Sequence, residues 1–437
     1  MDPWTVSILC VVLMVMLVFG GVHIAYSLLL SGMIGMLLIG DIQMLGAQLG
    51  TIAYNATASY GYVVIPLFIL MGQFAAESGI GQDAFYSARL WLGRLRGGLA
   101  MATIAGCGAF GAASGSTAST AALFARIAFP EMVRYGYDRA LAAGCIAAAG
   151  TVAAMIPPSI LLVLYGIISD QSIGKLLIGG IFPGILECLI YMVTVNIMVR
   201  HNPTLAPTLK EKASWSKKIT SLKAIVPIAV VFMFAIGGIF FGLFTPSEGG
   251  AMGAAGSFIV VLCMRRLNWK MVVTSFRETS IVTGMMFLAI LGGFLFSRTM
   301  ILGGMVSDIT QLIGSLEVSR HVIFAGITLL LVILGMIMQP IVMMIITVPL
   351  LVPVIVKLGY DPIWFGIMFV RLSELAVITP PVAVNLYVVK GVLKDEVSLT
   401  DIIKGVLPFI AATAVNFVIL YLFPEIALWL PGIMYKS

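Results

Sequence analysis

Charged and metal-binding side chains are scarce in this chain, and their scarcity excludes several classes of function. Lysine and arginine number 25 and aspartate and glutamate 19, so 10% of the 437 residues are charged, against about 25% in soluble domains. The three histidines are scattered and form neither a zinc site nor the histidine–serine pair of a hydrolase. The sequence also lacks a phosphate-binding P-loop and paired acidic motifs for magnesium. These absences argue against an enzyme and against direct use of ATP.

Hydrophobic residues make up 60% of the chain, and the mean hydropathy is +1.10. A helix crosses a bilayer core about 30 Å thick with about 20 apolar residues. Several segments meet this requirement, including 6–22, 178–199, 224–244 and 409–422. The N-terminus lacks the basic flank of a signal peptide, so we expect the first apolar segment to remain as a helix. The five cysteines lie in apolar segments at no metal-ligand spacing, and we interpret them as packing residues.

The net charge of +6 does not require a nucleic-acid partner. The distribution of the basic residues along the chain instead indicates the membrane topology. Basic residues cluster in 89–96, 126–139, 200–223 and 265–277, and the positive-inside rule places such clusters in the cytoplasm. This threading predicts about ten crossings and two re-entrant hairpins, at residues 98–129 and 322–356. The crossings predicted between the hairpins are 139–169, 173–199, 224–244, 248–264 and 279–297. Residues 41–60 have no clear place in this threading.

An internal repeat relates residues 130–158 to residues 353–381 at a constant offset of 223. Eight positions are identical, namely Pro130/Pro353, Val133/Val356, Gly136/Gly359, Tyr137/Tyr360, Asp138/Asp361, Ala153/Ala376, Pro157/Pro380 and Pro158/Pro381. Long-range repeats of this kind are typical of secondary transporters. Because an odd number of predicted crossings separates the copies, we expect them to be inverted repeats.

Each copy of the repeat ends in a tandem proline inside a long apolar segment. Residues 139–169 would form a helix about 46 Å long at 1.5 Å per residue, but Pro157-Pro158-Ser159 interrupts it. Thr379-Pro380-Pro381 occupies the same place in the second copy. Proline removes a backbone donor and leaves nearby carbonyls unpartnered, which a membrane protein tolerates where they line a cavity. Such carbonyls can bind sodium.

The first predicted hairpin contains a dense run of small and hydroxylated residues between positions 106 and 120. Small residues also serve close helix packing, and that alternative stays open. Hydroxyls on both sides of a glycine favour a turn that directs oxygen atoms to one point, which would suit a hard cation. The residues of this predicted tip are Ser114, Gly115, Ser116 and Thr117. At offset 223, Ser116 aligns with Gln339, which precedes Pro340 and marks the predicted tip of the second hairpin.

These segments resemble a known family, the large membrane subunit (DctM type) of tripartite ATP-independent periplasmic (TRAP) transporters. The motifs that carry the resemblance are Ser114-Gly115-Ser116, Pro130-Glu131-Met132, Gly136-Tyr137, Ile156-Pro157-Pro158-Ser159, Gly359-Tyr360-Asp361-Pro362, Phe365-Gly366 and Thr379-Pro380-Pro381-Val382. The resemblance implies an elevator-type transporter of the bacterial inner membrane that imports an organic acid with a sodium gradient. It also implies a small membrane subunit and a periplasmic substrate-binding protein as partners, with sodium as coupling ion and no cofactor.

Carried onto this sequence, the resemblance implies two sodium-binding halves with the substrate between the hairpins. One half comprises the first tip with Pro157, Pro158 and Ser159, and the other comprises Gln339 with Thr379, Pro380 and Pro381. The family usually has an acidic residue at the position of Gln339, so we expect a weaker or different ion site there. The family also usually has glycine where this chain has Ala383. Asn385 is a further candidate polar ligand.

Intramembrane charges are expensive and therefore informative. Arg371 and Glu374 are spaced i, i+3, so they can pair on one helix face. Arg371 is alternatively a contact for a substrate carboxylate. Glu248 follows Thr245 and Ser247 and is interpreted as part of a helix cap.

We thus predict an all-α integral membrane protein with two inverted repeats. The predicted units are scaffold helices (1–80), the first repeat (81–199), a basic linker lying on membrane lipid (200–223), central helices (224–297) and the second repeat (298–437). The competing function is a standalone sodium-coupled anion symporter that works without a binding protein.

Overall fold

The computed structural model describes residues 2–208, 214–305, 307–308, 311, 318–381 and 383–434. Within these ranges every regular element is helical, as predicted. The α-helices are α1 (Pro3–Phe19), α2 (Ile24–Ile39), α3 (Ile42–Ala58), α4 (Val64–Glu77), α5 (Ile80–Leu92), α6 (Gly98–Ser114), α7 (Thr117–Arg134), α8 (Arg139–Thr151), α9 (Ile160–Ser169), α10 (Ile173–Gly179), α11 (Ile181–His201), α12 (Trp215–Leu222), α13 (Val226–Phe232), α14 (Gly238–Phe240), α15 (Pro246–Cys263), α16 (Trp269–Leu302), α17 (Arg320–Gly335), α18 (Pro340–Lys357), α19 (Pro362–Val377), α20 (Val384–Leu393), α21 (Leu399–Leu422) and α22 (Glu425–Ile433).

Both predicted hairpins are present as pairs of helices. The first consists of α6 and α7 and turns at Gly115 and Ser116; it extends five residues beyond the predicted end at 129, because α7 continues through Pro130 to Arg134. The second consists of α17 and α18 and turns just before Pro340, so Gln339 lies at its tip. Its bounds of 320 and 357 agree closely with the predicted 322–356.

The repeated residues have the same local role in both copies. Gly136 and Gly359 each have φ of +78°, a left-handed conformation that favours glycine. Asp138 then caps α8 by accepting from the backbone N–H of Leu141 at 2.8 Å, and Asp361 caps α19 by accepting from the N–H of Ile363 at 2.7 Å. The repeat therefore encodes a hairpin end, a glycine turn and a capped helix start.

Both predicted helix breaks are confirmed. The first broken helix runs through α8 and a short 3₁₀ turn (Val152–Ala154), stops at Pro157-Pro158 and resumes as α9. The second runs through α19, stops at Pro380-Pro381 and resumes as α20. The peptide bond between the two prolines is cis in both.

The second half of each broken helix packs against the hairpin of the other copy. Helix α9 contacts α18 of the second hairpin, and α20 contacts α7 of the first. One large apolar cluster joins α1, α2, α4, α9, α18 and α19, and another joins α5–α8, α20 and α21. Because each hairpin packs against the broken helix of the other copy, the two hairpin tips face one cavity.

Several elements differ from the threading predicted by charge. Residues 42–58, which could not be placed, form the amphipathic helix α3. Helix α16 has 34 residues rather than the predicted 279–297, and α22 was not predicted. By length and composition, six of the described helical segments could cross a membrane, and the two halves of the first broken helix are among the shorter apolar helices.

The basic linker contains a short amphipathic helix, as expected. The Lys218 ammonium lies 5.3 Å from the ring centroid of Trp215 and 5.6 Å from that of Trp91. These contacts attach α12 to α5. Residues 209–213 of the linker lie outside the described residues. All five cysteines are free thiols. Cys10, Cys107 and Cys145 are buried, as predicted for packing residues, whereas Cys188 is half-buried and Cys263 is exposed.

Candidate functional site

A cavity of about 320 Å³ lies between the two hairpin tips and the two helix breaks. The two tips, the helix segments that flank the two breaks and one face of α16 contribute to its wall. The lining residues are Gly115, Ser116, Thr117, Ala118, Ala154, Ile160, Leu161, Val282, Met286, Gln339, Pro340, Ile341, Glu374, Val377 and Val384. The sequence prediction that the two tips and the two breaks meet at one place agrees with this geometry.

Hydroxyl groups hold the first tip in its turn. Ser116 caps α7, where its Oγ accepts from the backbone N–H of Ser119 at 3.4 Å. The Oγ atoms of Ser114 and Thr120 lie 3.2 Å apart in the protein interior. Of the four predicted tip residues, Gly115, Ser116 and Thr117 line the cavity, and Ser114 is buried behind them.

The first break supports the tip rather than lining the cavity. Ser159 is buried, donates its hydroxyl to the carbonyl of Ala154 and accepts from the N–H of Leu162 at 3.2 Å, which caps α9. Pro157 and Pro158 are also buried. These three predicted site residues therefore lie behind the wall.

At the tip of the second hairpin, Gln339 lines the cavity. The second helix break is more exposed than the first. Thr379 donates its hydroxyl to the carbonyl of Leu375 at 2.6 Å, and Pro381 is exposed. Thr379, Pro380 and Pro381 do not belong to the cavity wall. Asn385 is fully buried and donates from Nδ2 to the carbonyl of Ala147 at 3.1 Å, which connects α20 to α8.

The predicted pairing of Arg371 with Glu374 is wrong. The guanidinium of Arg371 forms a buried ion pair with Glu187 of α11 instead. Thr151 supports this pair by donating its hydroxyl to Glu187 Oε1 at 3.5 Å. The i, i+3 spacing permitted the local pair, but a partner 184 residues away leaves no local sequence signal. Arg371 is outside the cavity wall, so a direct contact with a substrate carboxylate would require it to leave Glu187.

Glu374 is the site residue that the sequence prediction undervalued. It lines the cavity, its side chain has no exposed surface, and neither carboxylate oxygen has a hydrogen-bond partner among the described residues. An acidic residue within an apolar helix was the available signal. Because the sequence prediction paired Glu374 with Arg371, this signal was not used. Glu248, by contrast, lies in a capped helix start as predicted, where it forms a capping box with the N-cap residue Thr245.

Comparison with known proteins decides the family. The family model described as "Tripartite ATP-independent periplasmic transporter, DctM component" matches residues 10–426. The chain belongs to the DctM family. It is 31% identical to the C4-dicarboxylate TRAP transporter large permease protein DctM of Vibrio cholerae, over 98% of both chains. It is also 31% identical to the isethionate TRAP transporter permease protein DctMQ of Oleidesulfovibrio alaskensis, over 94% of this chain and 64% of that one.

The DctM fold has a counterpart among solved transporters. The crystal structure of the Alcanivorax borkumensis YdaH transporter matches with a TM-score of 0.62 and 14% identity, over 99% of both chains. At this identity the likeness concerns the fold alone. Family membership confirms the resemblance seen in the motifs, and it makes this DctM chain a multi-pass transporter subunit of the inner membrane rather than an enzyme.

Proposed function

We propose that this chain is the large permease of a TRAP transporter that imports an organic acid across the bacterial inner membrane, driven by a sodium gradient. The observation that carries the proposal is the cavity formed jointly by both hairpin tips and the two broken helices. Irregular backbone at such a place is typical of the ion and substrate sites of secondary transporters.

The chemistry of the tips supports sodium as the coupling ion. Ser116 and Thr117 carry hydroxyls, Gln339 carries an amide oxygen, and Glu374 carries a carboxylate, all on the wall of one cavity. Neutral and anionic oxygen atoms are the ligands of hard cations. We propose these coupling ions and no further cofactor.

The size of the cavity and the names of the relatives support an organic acid. A volume of about 320 Å³ is at the lower end of small-molecule sites. One relative is named for C4-dicarboxylate and another for isethionate. Among the described residues, the cavity lining contains no lysine or arginine, so a bound anion would depend on cations and on backbone N–H groups such as those at the start of α7.

An elevator mechanism is consistent with how the helices are attached to one another. The first tip contacts its break, and Asn385 connects α20 to α8, so the two hairpins and the broken helices can move as one inverted-repeat unit. Outside that unit, α2 and α16 approach closely at glycines: a Cβ at Gly32 would lie 2.8 Å from the backbone nitrogen of Phe296.

The proposed partners are a small membrane subunit, a periplasmic substrate-binding protein and the surrounding lipid. The name DctMQ of the Oleidesulfovibrio alaskensis relative, of which this chain covers 64%, supports a permease that includes a second part. We propose that a separate subunit supplies that part here.

Uptake by proteoliposomes tests the proposal. The chain is reconstituted with its small subunit and given labelled organic acids, with or without an inward sodium gradient and with or without the binding protein. Uptake that requires both supports the tripartite function. Sodium-driven uptake without the binding protein would instead favour the standalone symporter, and uptake indifferent to sodium would refute the coupling.

A further inference from the structure

Charge is unbalanced inside the protein next to the cavity. Among the described residues, three charged side chains are buried: Glu187, Arg371 and Glu374, with at most 1% of their surface exposed. Two carboxylates and one guanidinium give a formal charge of −1. Arg371 forms its ion pair with Glu187, whereas Glu374, three residues further along the same helix, has no hydrogen-bond partner among the described residues.

Glu374 is the buried acidic residue next to the cavity. It is part of the cavity wall, and the other lining side chains are uncharged. Both of its carboxylate oxygens are buried without a hydrogen-bond partner among the described residues. A carboxylate in such surroundings is strongly unfavourable unless it takes up a proton or unless a cation or a hydrogen-bond donor reaches it. The cavity is the space from which that partner can come.

We propose that Glu374 binds one sodium ion in this cavity and that this ion must be present before the substrate anion enters. The side-chain carbonyl of Gln339 and the hydroxyl of Ser116 line the same cavity and can supply neutral oxygens to the ion. One monovalent cation brings the formal charge of the buried cluster from −1 to zero. This inference rests on the proposed sodium-driven import and gives it a named anionic ligand.

The order of binding follows from charge. An organic acid that enters the empty cavity meets the Glu374 carboxylate at short range in a medium of low polarity, where like charges repel strongly. With sodium bound to Glu374, the same acid meets a neutral pair. The carboxylate therefore couples substrate binding to sodium binding, because the substrate site is repulsive without the ion.

Sodium binding by the purified chain, in complex with its small subunit, provides the test. Thermal stability is measured as sodium chloride replaces potassium chloride at constant ionic strength, because an ion that binds the native state raises its melting temperature. The variants are Glu374→Gln, which removes the charge with little change in shape, and Glu374→Asp, which keeps it. Glu396→Gln serves as the control, since Glu396 is exposed and distant in sequence from the cavity-lining residues.

We expect sodium to stabilise the wild type and Glu396→Gln equally. Glu374→Gln is expected to lose the sodium-dependent shift and to need at least tenfold more sodium for half-maximal uptake. Glu374→Asp is expected to keep part of both responses, so the test remains decisive if Glu374→Gln does not fold.

The outcomes distinguish this inference from the proposed function. A wild-type sodium response that Glu374→Gln retains in full would overturn the role of Glu374 and leave sodium-driven import intact. A wild type without any sodium response, in stability or in uptake, would overturn both. Uptake that follows a proton gradient without sodium, and that is lost in Glu374→Gln, would show that the carboxylate binds a proton instead.

Discussion

Gly115 at the first hairpin tip lies directly against the carbonyl oxygen of Pro158 at the first helix break. A Cβ at position 115 would collide with that oxygen, and the residue has φ of +60°. Both the space and the backbone conformation therefore require glycine. This contact joins a hairpin tip to a broken helix, so the geometry of the cavity depends on it.

Gly115→Ala is expected to reduce uptake more than tenfold, because the methyl group must push the tip away from the break. Gly50→Ala is the matched control, since nothing lies within 4 Å of a Cβ at this position in α3. Alanine there should instead stabilise the helix by about 0.5–1 kcal/mol. Equal uptake by both variants at equal expression would contradict the role of the contact.

Ala383→Gly is expected to stabilise the protein. Ala383 has φ of +35° and is buried at the start of α20. The left-handed conformation destabilises the folded state by about 1–2 kcal/mol when the residue carries a Cβ. Glycine relieves this strain, but its greater freedom in the unfolded chain lowers the free energy of unfolding by about 0.5–1 kcal/mol. The expected net gain is about 0.5–1 kcal/mol in thermal or chemical denaturation. Ala142→Gly, inside α8, should do the opposite, and a loss of stability in Ala383→Gly would refute the strain.

The sequence predicted those parts of the site that short-range chemistry determines. Tandem prolines break helices wherever they occur, and glycine with flanking serines forms a turn, so the breaks and the first tip were predicted at the residue level. Gln339 was located because the repeat aligned it with Ser116. The geometry of the tip then explains why a run of hydroxyls is needed, since Ser114 and Thr120 hold the turn while Ser116 reaches the cavity.

Long-range pairing could not be predicted. Arg371 has an acidic neighbour one turn away, and that neighbour was the sensible choice of partner. Glu187 replaces it only because the fold brings a side chain of α11 within reach of Arg371, which no local pattern records. Because of this tertiary pairing, Glu374 has no hydrogen-bonded partner among the described residues. It places an acidic residue on the same cavity wall as Gln339, where a weaker ion site was expected for lack of one.

Ser116→Ala is expected to reduce uptake several-fold while expression changes little. The substitution removes an N-cap, which costs about 1 kcal/mol, together with an oxygen on the cavity wall. Ser214→Ala removes an equivalent cap from α12 in the linker, where the Ser214 Oγ accepts from the N–H of Lys217 at 3.3 Å. The comparison isolates the cavity oxygen from the cap. Similar uptake by the two variants would mean that Ser116 acts only as a cap.

Pro158→Ala is expected to impair transport more than expression, because the alanine backbone can regain helical hydrogen bonds near the break. The carbonyl that faces Gly115 would then turn away from the tip. Uptake per amount of folded protein is the relevant measurement, with size-exclusion chromatography to confirm folding. Normal uptake by a well-expressed variant would remove the break from the site.

The buried pair of Arg371 and Glu187 predicts an asymmetric response to mutation. Arg371→Met leaves two buried carboxylates without a counter-charge, and loss of one partner of a buried pair costs about 3–5 kcal/mol. Glu187→Leu is expected to cost less, because Arg371 then has Glu374 three residues away on its own helix.

The double variant should lie closer to the wild type than the sum of the single effects, since no Glu187–Arg371 pair remains to be broken. Denaturation of all four proteins measures this coupling, and additive effects would mean that the pair contributes nothing to stability. If Glu187→Leu also weakens the response to sodium, Arg371 has turned to Glu374, and the ion pair keeps the carboxylate available to the cavity.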